Sequence, residues 1–198
     1  MGEEITVVGC WAHARRKFDE AVKSLPKGKA KGSSASQGLA YCNLLVAIEQ
    51  GLSEKNATGK ERYNERLEQA KPVLDAMFAW ANSRTAAPKS ALGKAFHYLK
   101  EQWPYLTNYL KDGRLEISNN RAERSVKPFV IDRKNFLFAN TPKGANGSAM
   151  MFSLIQTAIE NELDPYSYLT WLLRKAKDAD LTDAEIVKRL LPWNGLEG

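Results

Sequence analysis

Residues 91–110 read ALGKAFHYLKEQWPYLTNYL, and their spacing decides the fold. Leu92, Phe96, Leu99, Trp103, Leu106 and Leu110 step by 4, 3, 4, 3 and 4, which gathers them on one side of a helix. Tyr63, Leu67, Ala70, Leu74, Met77 and Ala81 repeat those steps upstream. The Ala86-Ala87-Pro88 break between the two stripes lets them return as an antiparallel helical hairpin. Both stripes read as core packing, not as the lining of a cofactor site. Pro72 and Pro104 fall inside these helices and should kink or interrupt them. His97 lies beside the second stripe and reads as structural or exposed.

Working outward, the same rules give helices almost everywhere. Asp112-Gly113 ends the hairpin with a turn, and a helix starting near Ser118 to Asn120 carries Glu123. Residues 141–147 (TPKGANG) read as a loop, with Ser148 capping a helix from Ala149 to Glu160. Asp164-Pro165 places a cap and a first-turn proline at the start of an aromatic-rich helix. Thr182-Asp183-Ala184-Glu185 is a capping box for a last short helix ending before Pro192. Upstream of the hairpin, Leu39 to Gln50 is an apolar helix closed by Gly51, and Pro26 to Gly38 (PKGKAKGSSASQG) is a flexible loop. Ala12 to Ser24 reads as a basic helix, and Ile5 to Cys10 as a short apolar strand. The expectation is a mainly α chain with one strand.

At 198 residues the chain can bury one good core, with room for a satellite subdomain. Its net charge of +6 is unevenly placed. Arg15 to Lys31 holds seven basic residues against Asp19 and Glu20, and Arg121 to Lys143 holds six against Glu123 and Asp132. Those segments carry +5 and +4, so the rest of the chain is −3. Localised basicity suits a polyanion surface, although solvated helix faces would look the same. Cys10 and Cys42 have neither disulfide-framework nor paired-cysteine metal spacing, which points to a reduced, cytoplasmic protein. No apolar run approaches the roughly 18 residues of a membrane span, so no membrane partner is expected.

Three blocks carry chemistry. Asn119-Asn120-Arg121-Ala122-Glu123-Arg124 sets one carboxylate among guanidinium groups. Asp132-Arg133-Lys134-Asn135-Phe136-Leu137-Phe138 follows closely, and Gly9-Cys10-Trp11-Ala12-His13-Ala14-Arg15-Arg16-Lys17-Phe18 stands near the start. Spacing alone leaves Glu123 open to a structural role, as the back-bonding member of a capping box with Asn120 or an i,i+4 partner of Lys127. A lone Cys10–His13 pair offers two ligands where zinc needs four. Lys143-Gly144-x-x-Gly147-Ser148 before a helix suggests a phosphate-contacting loop, but its order departs from the nucleotide P-loop.

Together these blocks resemble the insertion sequence 66 family of bacterial DDE transposases, along nearly the whole chain after residue 8. The resemblance implies an RNase H-like domain in which Glu123 is the third catalytic carboxylate and a Mg²⁺ ligand. It also implies that Arg121, Arg124, Lys127, Arg133, Lys134 and Asn135 contact DNA, as do Arg15, Arg16 and Lys17. His13 joins them as a DNA contact or as part of the site's architecture. Phe136 and Phe138 are left between base stacking and core burial. On this reading residues 1–35 are the remnant of the RNase H-like core and 36–112 a helical insertion. Residues 113–160 then hold the Glu-bearing helix with the basic segment, and 161–198 the C-terminal helices. The family's two catalytic aspartates belong upstream of Gly9, where eight residues stand. The expectation is a truncated transposase that binds DNA but, with one carboxylate for two cations, is inactive alone. Its bared strand edge would favour self-association or pairing with full-length transposase. The alternatives are a non-enzymatic DNA-binding or transposase-interacting regulator, and a helical interaction module without nucleic acid.

Overall fold

The computed structural model describes residues 6–132 and 141–194. Ile5, Arg133, Lys134, Asn135, Phe136 and Phe138, which carry expectations above, lie outside these, as does the side chain of Asp132. The chain divides into two units, Met1–Arg121 and Ala122–Gly198.

The first unit is organised around helices α1 (Trp11–Lys23), α2 (Ser34–Glu54) and α5 (Ala91–Leu106), with α1 packed against both others. Ser90 caps α5 by accepting a bond from the Gly93 N–H at 3.0 Å. Phe96, Leu99 and Leu106 are buried, and Leu92, Trp103 and Leu110 pack against the same core, as the stripe predicts. On α1 the inward residues are Trp11, Ala14, Phe18 and Ala21. The Phe18 ring meets Phe96 edge-on, with centroids 6.1 Å apart.

Helix α2 begins earlier and ends later than the sequence suggests. Ser33 caps it through the Ser36 N–H at 3.1 Å, so the serines of the supposed loop already belong to the helix start. Gly51 lies inside it. Gly38 is there for packing: a Cβ would strike the Phe18 ring. What remains of the loop is a pair of turns, in which Lys29 N–H donates to Pro26 O and Ser33 N–H to Ala30 O.

The upstream stripe behaves differently from its partner. Helix α3 (Gly59–Glu65) starts at a Thr58–Glu61 capping box and runs into a π turn, Arg66–Ala70, before α4 (Lys71–Asn82). Pro72 has no N–H to donate and its ring crowds the preceding turn, so widening that turn lets the helix continue unbroken. The extra residue rotates the face. Leu74, Met77 and Ala81 are buried as expected, but Tyr63 and Leu67 are 39% and 38% exposed, and Arg66 is buried in their stead. Pro104 sits in the last turn of α5 without ending it. His97 is exposed, with its ring 3.6 Å from Glu101.

The expected strand is not formed: among the described residues there is none. Thr6 to Cys10 instead lies along the C-terminal end of α5. Gly9 N–H donates to Tyr105 O at 2.8 Å, and the Asn108 side-chain amide donates to Val7 O at 2.7 Å. Carbonyls of a last helical turn lack intrahelical donors, so this segment is satisfied there without a strand partner. Gly9 is required by the approach, since a Cβ would lie 2.8 Å from the Leu106 nitrogen. The open apolar edge offered above as the ground for self-association is therefore absent over Val7–Gly9.

The second unit holds most of α6 (Asn120–Asp132), then α7 (Pro142–Glu160), α8 (Pro165–Lys177) and α9 (Ala184–Arg189). Helix α7 starts at Thr141, whose hydroxyl accepts from Gly144 N–H at 3.1 Å, with Pro142 in the first turn. Ser148 is thus inside the helix rather than at its cap. Helix α8 starts where Asp164-Pro165 predicts, the carboxylate accepting from Ser167 N–H at 2.8 Å. For α9 the cap is Asp183, not Thr182, whose hydroxyl turns back to Asp180. Tyr168 is fully buried and donates its hydroxyl to Leu190 O at 2.9 Å, fixing α8 to the segment after α9.

Candidate nucleic-acid interface

In the first unit, two of the three sequence blocks come together. Trp11 N–H donates to Ile117 O at 3.0 Å, and Asn119 N–H donates to the Cys10 sulfur at 3.3 Å. The Trp11 indole N–H donates to Leu106 O at 2.9 Å, anchoring the same turn to α5. The Cys10-Trp11-Ala12-His13 turn is thereby stapled to the residues that lead into α6. Cys10 spends its sulfur on this contact and His13 is half-buried at the helix start. Beyond the staple, Arg121 approaches Glu116 at 3.4 Å.

A buried ion pair fixes the approach to that point. Arg66 is 1% exposed, and its Nε and Nη2 donate to the Glu49 carboxylate at 2.6 and 2.9 Å. Its remaining N–H groups reach Tyr109 O (2.9 Å), Asp112 O (3.0 Å) and Leu115 O (2.8 Å). Burying a guanidinium is tolerable only when every donor is used, and here the planar fork spans both the carboxylate and three carbonyls. The Tyr109 ring lies beneath it, 5.1 Å from the guanidinium carbon. Arg66 thus ties Tyr109–Leu115 to α2. Sequence reasoning missed it, because an arginine beside an apolar stripe reads as a solvated charge rather than a core residue.

In the second unit, Glu123, Arg124 and Lys127 are exposed on α6. Helical geometry places the three on one face, opposite Ser125 and Phe129. Those two pack inward: Ser125 hydroxyl donates to Glu160 at 2.8 Å, and Phe129 meets Phe152 edge-on at 5.3 Å. The exposed face continues with Val126, Val130 and Ile131, each at least half exposed. Pro128 removes the helical donor to the Arg124 carbonyl, leaving one more acceptor on this helix.

The other nominated residues are placed as follows. Arg15 and Arg16 are exposed on α1, Arg15 donating to Asn43 of α2 at 2.7 Å, while Lys17 is half-buried. Residues 143–148 are the first turns of α7, so the Lys143-Gly144 segment forms no separate phosphate loop. Among the described residues no group of three His, Cys, Asp or Glu side chains is placed to hold a metal ion. Both cysteines are buried free thiols, and burial pushes Cys42 up to about 12. No helix among the described residues is long and apolar enough to cross a membrane.

Comparison with known proteins gives the family. The profile of the family described as Transposase IS66 family matches residues 1–147, which includes the Cys10–His13 turn and α6. The chain belongs to the IS66 transposase family. A second profile, the IS66 C-terminal element, matches residues 153–193, from within α7 to the end of the described helices. Among curated proteins, the uncharacterized protein y4hP of Sinorhizobium fredii (strain NBRC 101917 / NGR234) is 32% identical over 96% of this chain and 35% of its own length. The uncharacterized protein y4jD of the same strain is 31% identical over 93% of this chain and 35% of its own length. The chain therefore spans about a third of the length of the curated relatives it matches. No solved structure matches it.

Proposed function

We propose that this IS66-family chain binds DNA through α6 and contributes Glu123 as one carboxylate of a DDE-type transposition site. The observation that carries the reading is the exposed face of α6. There, within the family-matched residues, Glu123 is exposed together with Arg124 and Lys127. Arg provides a bidentate phosphate contact and Lys a point charge, so the face suits a DNA backbone near a carboxylate. Arg121, Arg133, Lys134 and Asn135 extend the contact, with His13, Arg15, Arg16 and Lys17 as further contributors. In the same reading Thr6–Cys10, extended at Cys10 (φ −101°, ψ 112°), borders an RNase H-like sheet whose strands come from outside these residues.

In such sites divalent cations activate the attacking oxygen of a strand-transfer reaction and stabilise the leaving one. Among the described residues no centre of that kind is complete. Mg²⁺ takes hard oxygen ligands in a demanding octahedral geometry, and Glu123 supplies a single carboxylate. We therefore assign no cleavage step to these residues by themselves, and look for the completing carboxylates outside them.

Two measurements test the proposal. Fluorescence anisotropy with a random-sequence duplex should show binding that weakens steeply with salt. Arg124→Ala with Lys127→Ala should make the log–log salt slope shallower by about 2. Unchanged affinity and slope in that variant would remove α6 from the interface. A nicking assay with Mg²⁺ should be negative for the chain alone and positive after adding a polypeptide bearing the two family aspartates, with Glu123→Gln abolishing the gain. DNA binding without any such gain would favour the regulator over the split enzyme.

A further inference from the structure

We propose that the outer face of α5, with the α4–α5 loop and Lys17 of α1, is a second nucleic-acid-binding surface, a cleft that takes a phosphodiester backbone on Lys17, Arg84, Lys94 and Lys100. These side chains line one open cleft of about 740 Å³, formed by α1, the α4–α5 loop and α5. The cleft lies wholly within the first unit and shares no residue with α6.

Its shape follows from local sequence. Gly93 lets the Ala87-Pro88 turn lie directly on α5, where a Cβ would overlap the Ala87 carbonyl. That close approach makes the loop a wall of the cleft and holds Arg84 at its rim. The inner face of α5 is committed to the core through Ala95, Phe96 and Leu99, which leaves Lys94, His97, Lys100 and Glu101 on the outer face.

The charge is what points to a polyanion. Two exposed lysines of this unit pair with acids one helical turn away, Lys23 with Asp19 at 2.7 Å and Lys71 with Asp75 at 2.6 Å. Lys94 and Lys100 have no acid three or four residues away on either side. Glu101, the lone carboxylate of the lining, sits against His97. Four cations lining one concavity raise the local positive potential and favour an anion there. Their spread along an open cleft suits an extended chain of phosphates rather than a single small anion. Phe96 is only 5% exposed and forms the floor, Tyr98 is half-buried and the exposed His97 ring is engaged by Glu101, so the cations dominate what the lining offers. Recognition is accordingly of the backbone, without sequence preference.

The identity of the polyanion as nucleic acid rests on the DNA-binding reading above; the cleft itself does not. The test compares the full chain with two variants, Arg84→Ala/Lys94→Ala/Lys100→Ala in the cleft and Arg124→Ala/Lys127→Ala on α6. Binding to a random-sequence duplex is followed across a salt series, with matched thermal unfolding to show that each variant folds. The cleft variant should bind at least about tenfold more weakly at low salt, with a slope shallower by about 3. The conservative variant Arg84→Lys/Lys94→Arg/Lys100→Arg should restore both. A cleft variant that binds like the parent while the α6 variant weakens would overturn this proposal and leave the α6 reading standing. The opposite pattern would keep the cleft and remove α6. Absence of DNA binding by the parent overturns both. Capture of poly-glutamate, lost in the cleft variant while DNA binding is unchanged, would give the cleft to an acidic protein and also overturn it.

Discussion

Arg66 shows how one residue can organise a fold without announcing itself. Its five donors connect α2, through Glu49, to the three carbonyls of the segment that precedes α6. Arg66→Ala leaves the buried Glu49 carboxylate with only the longer Arg62 contact at 3.4 Å and should cost about 3 kcal/mol in urea unfolding. Replacing both partners by Met should recover much of that loss; a double variant no better than the single would show that the carbonyl bonds dominate instead. Asp112 gives a pH signature nearby. Its carboxylate accepts from the Arg114 side chain and backbone, which lowers it from the ordinary 3.8 to about 2. A depressed folded value means the contribution is complete above the ordinary value and fades as pH falls through about 2. The melting difference between parent and Asp112→Asn should therefore be level near neutrality and close in strong acid; a gap that widens with acid would refute the assignment. Arg66 was not legible in the sequence, because its contacts join chain segments 17 to 49 residues apart, whereas the Asp112–Arg114 contact is local and depends on the turn geometry at Gly113. Glu123 was nominated by motif, and the structure shows it exposed on α6.

At the level of elements, local chemistry was read well where cap and period agreed. Asp164-Pro165 started α8 as expected, and the stripe from Leu92 to Leu110 faces the core. Reading failed where a residue served a neighbour instead of its own segment. Gly38 and Gly51 looked like breakers, yet Gly38 is inside α2 because Phe18 needs the space. The 141–147 run looked like a loop because of its glycines, yet Thr141-Pro142 is a sufficient helix start. Period analysis also assumes an unbroken 3.6-residue turn, and the π turn before Pro72 violates it. Gly113 makes the same point about close approach. A Cβ there would overlap the Gly59 carbonyl at the start of α3, so the turn after Asp112 and the start of α3 touch backbone to backbone. Gly113→Ala should destabilise the first unit by about 1–3 kcal/mol, measured by denaturant unfolding. A neutral result would mean that the two backbones part at little cost.

Over the whole molecule, the two units differ in how much they bury. The first has an aromatic core in which Trp11, Phe18, Leu45, Leu74, Met77, Leu99 and Tyr109 are sealed. In the second, burial among the described residues is confined to Ala158, Tyr168 and Pro192, while Val126, Val130, Met150 and Leu173 are more than half exposed. Amide hydrogen exchange should therefore find α1, α2 and α5 opening only with global unfolding, and α6 and α7 exchanging through smaller openings. Equal protection in both would contradict that hierarchy. The helical class of the chain was legible from periodicity alone, whereas this inequality was not, since a stripe records which face is apolar and not whether anything covers it. The sealed thiols carry a practical consequence. Cys42 has no accessible surface and holds its proton far above neutrality, and the Cys10 sulfur is enclosed beneath Asn119. A maleimide dye attached to a cysteine introduced on α6 would thus report from that single place, with no need to strip the protein of its native sulfur first.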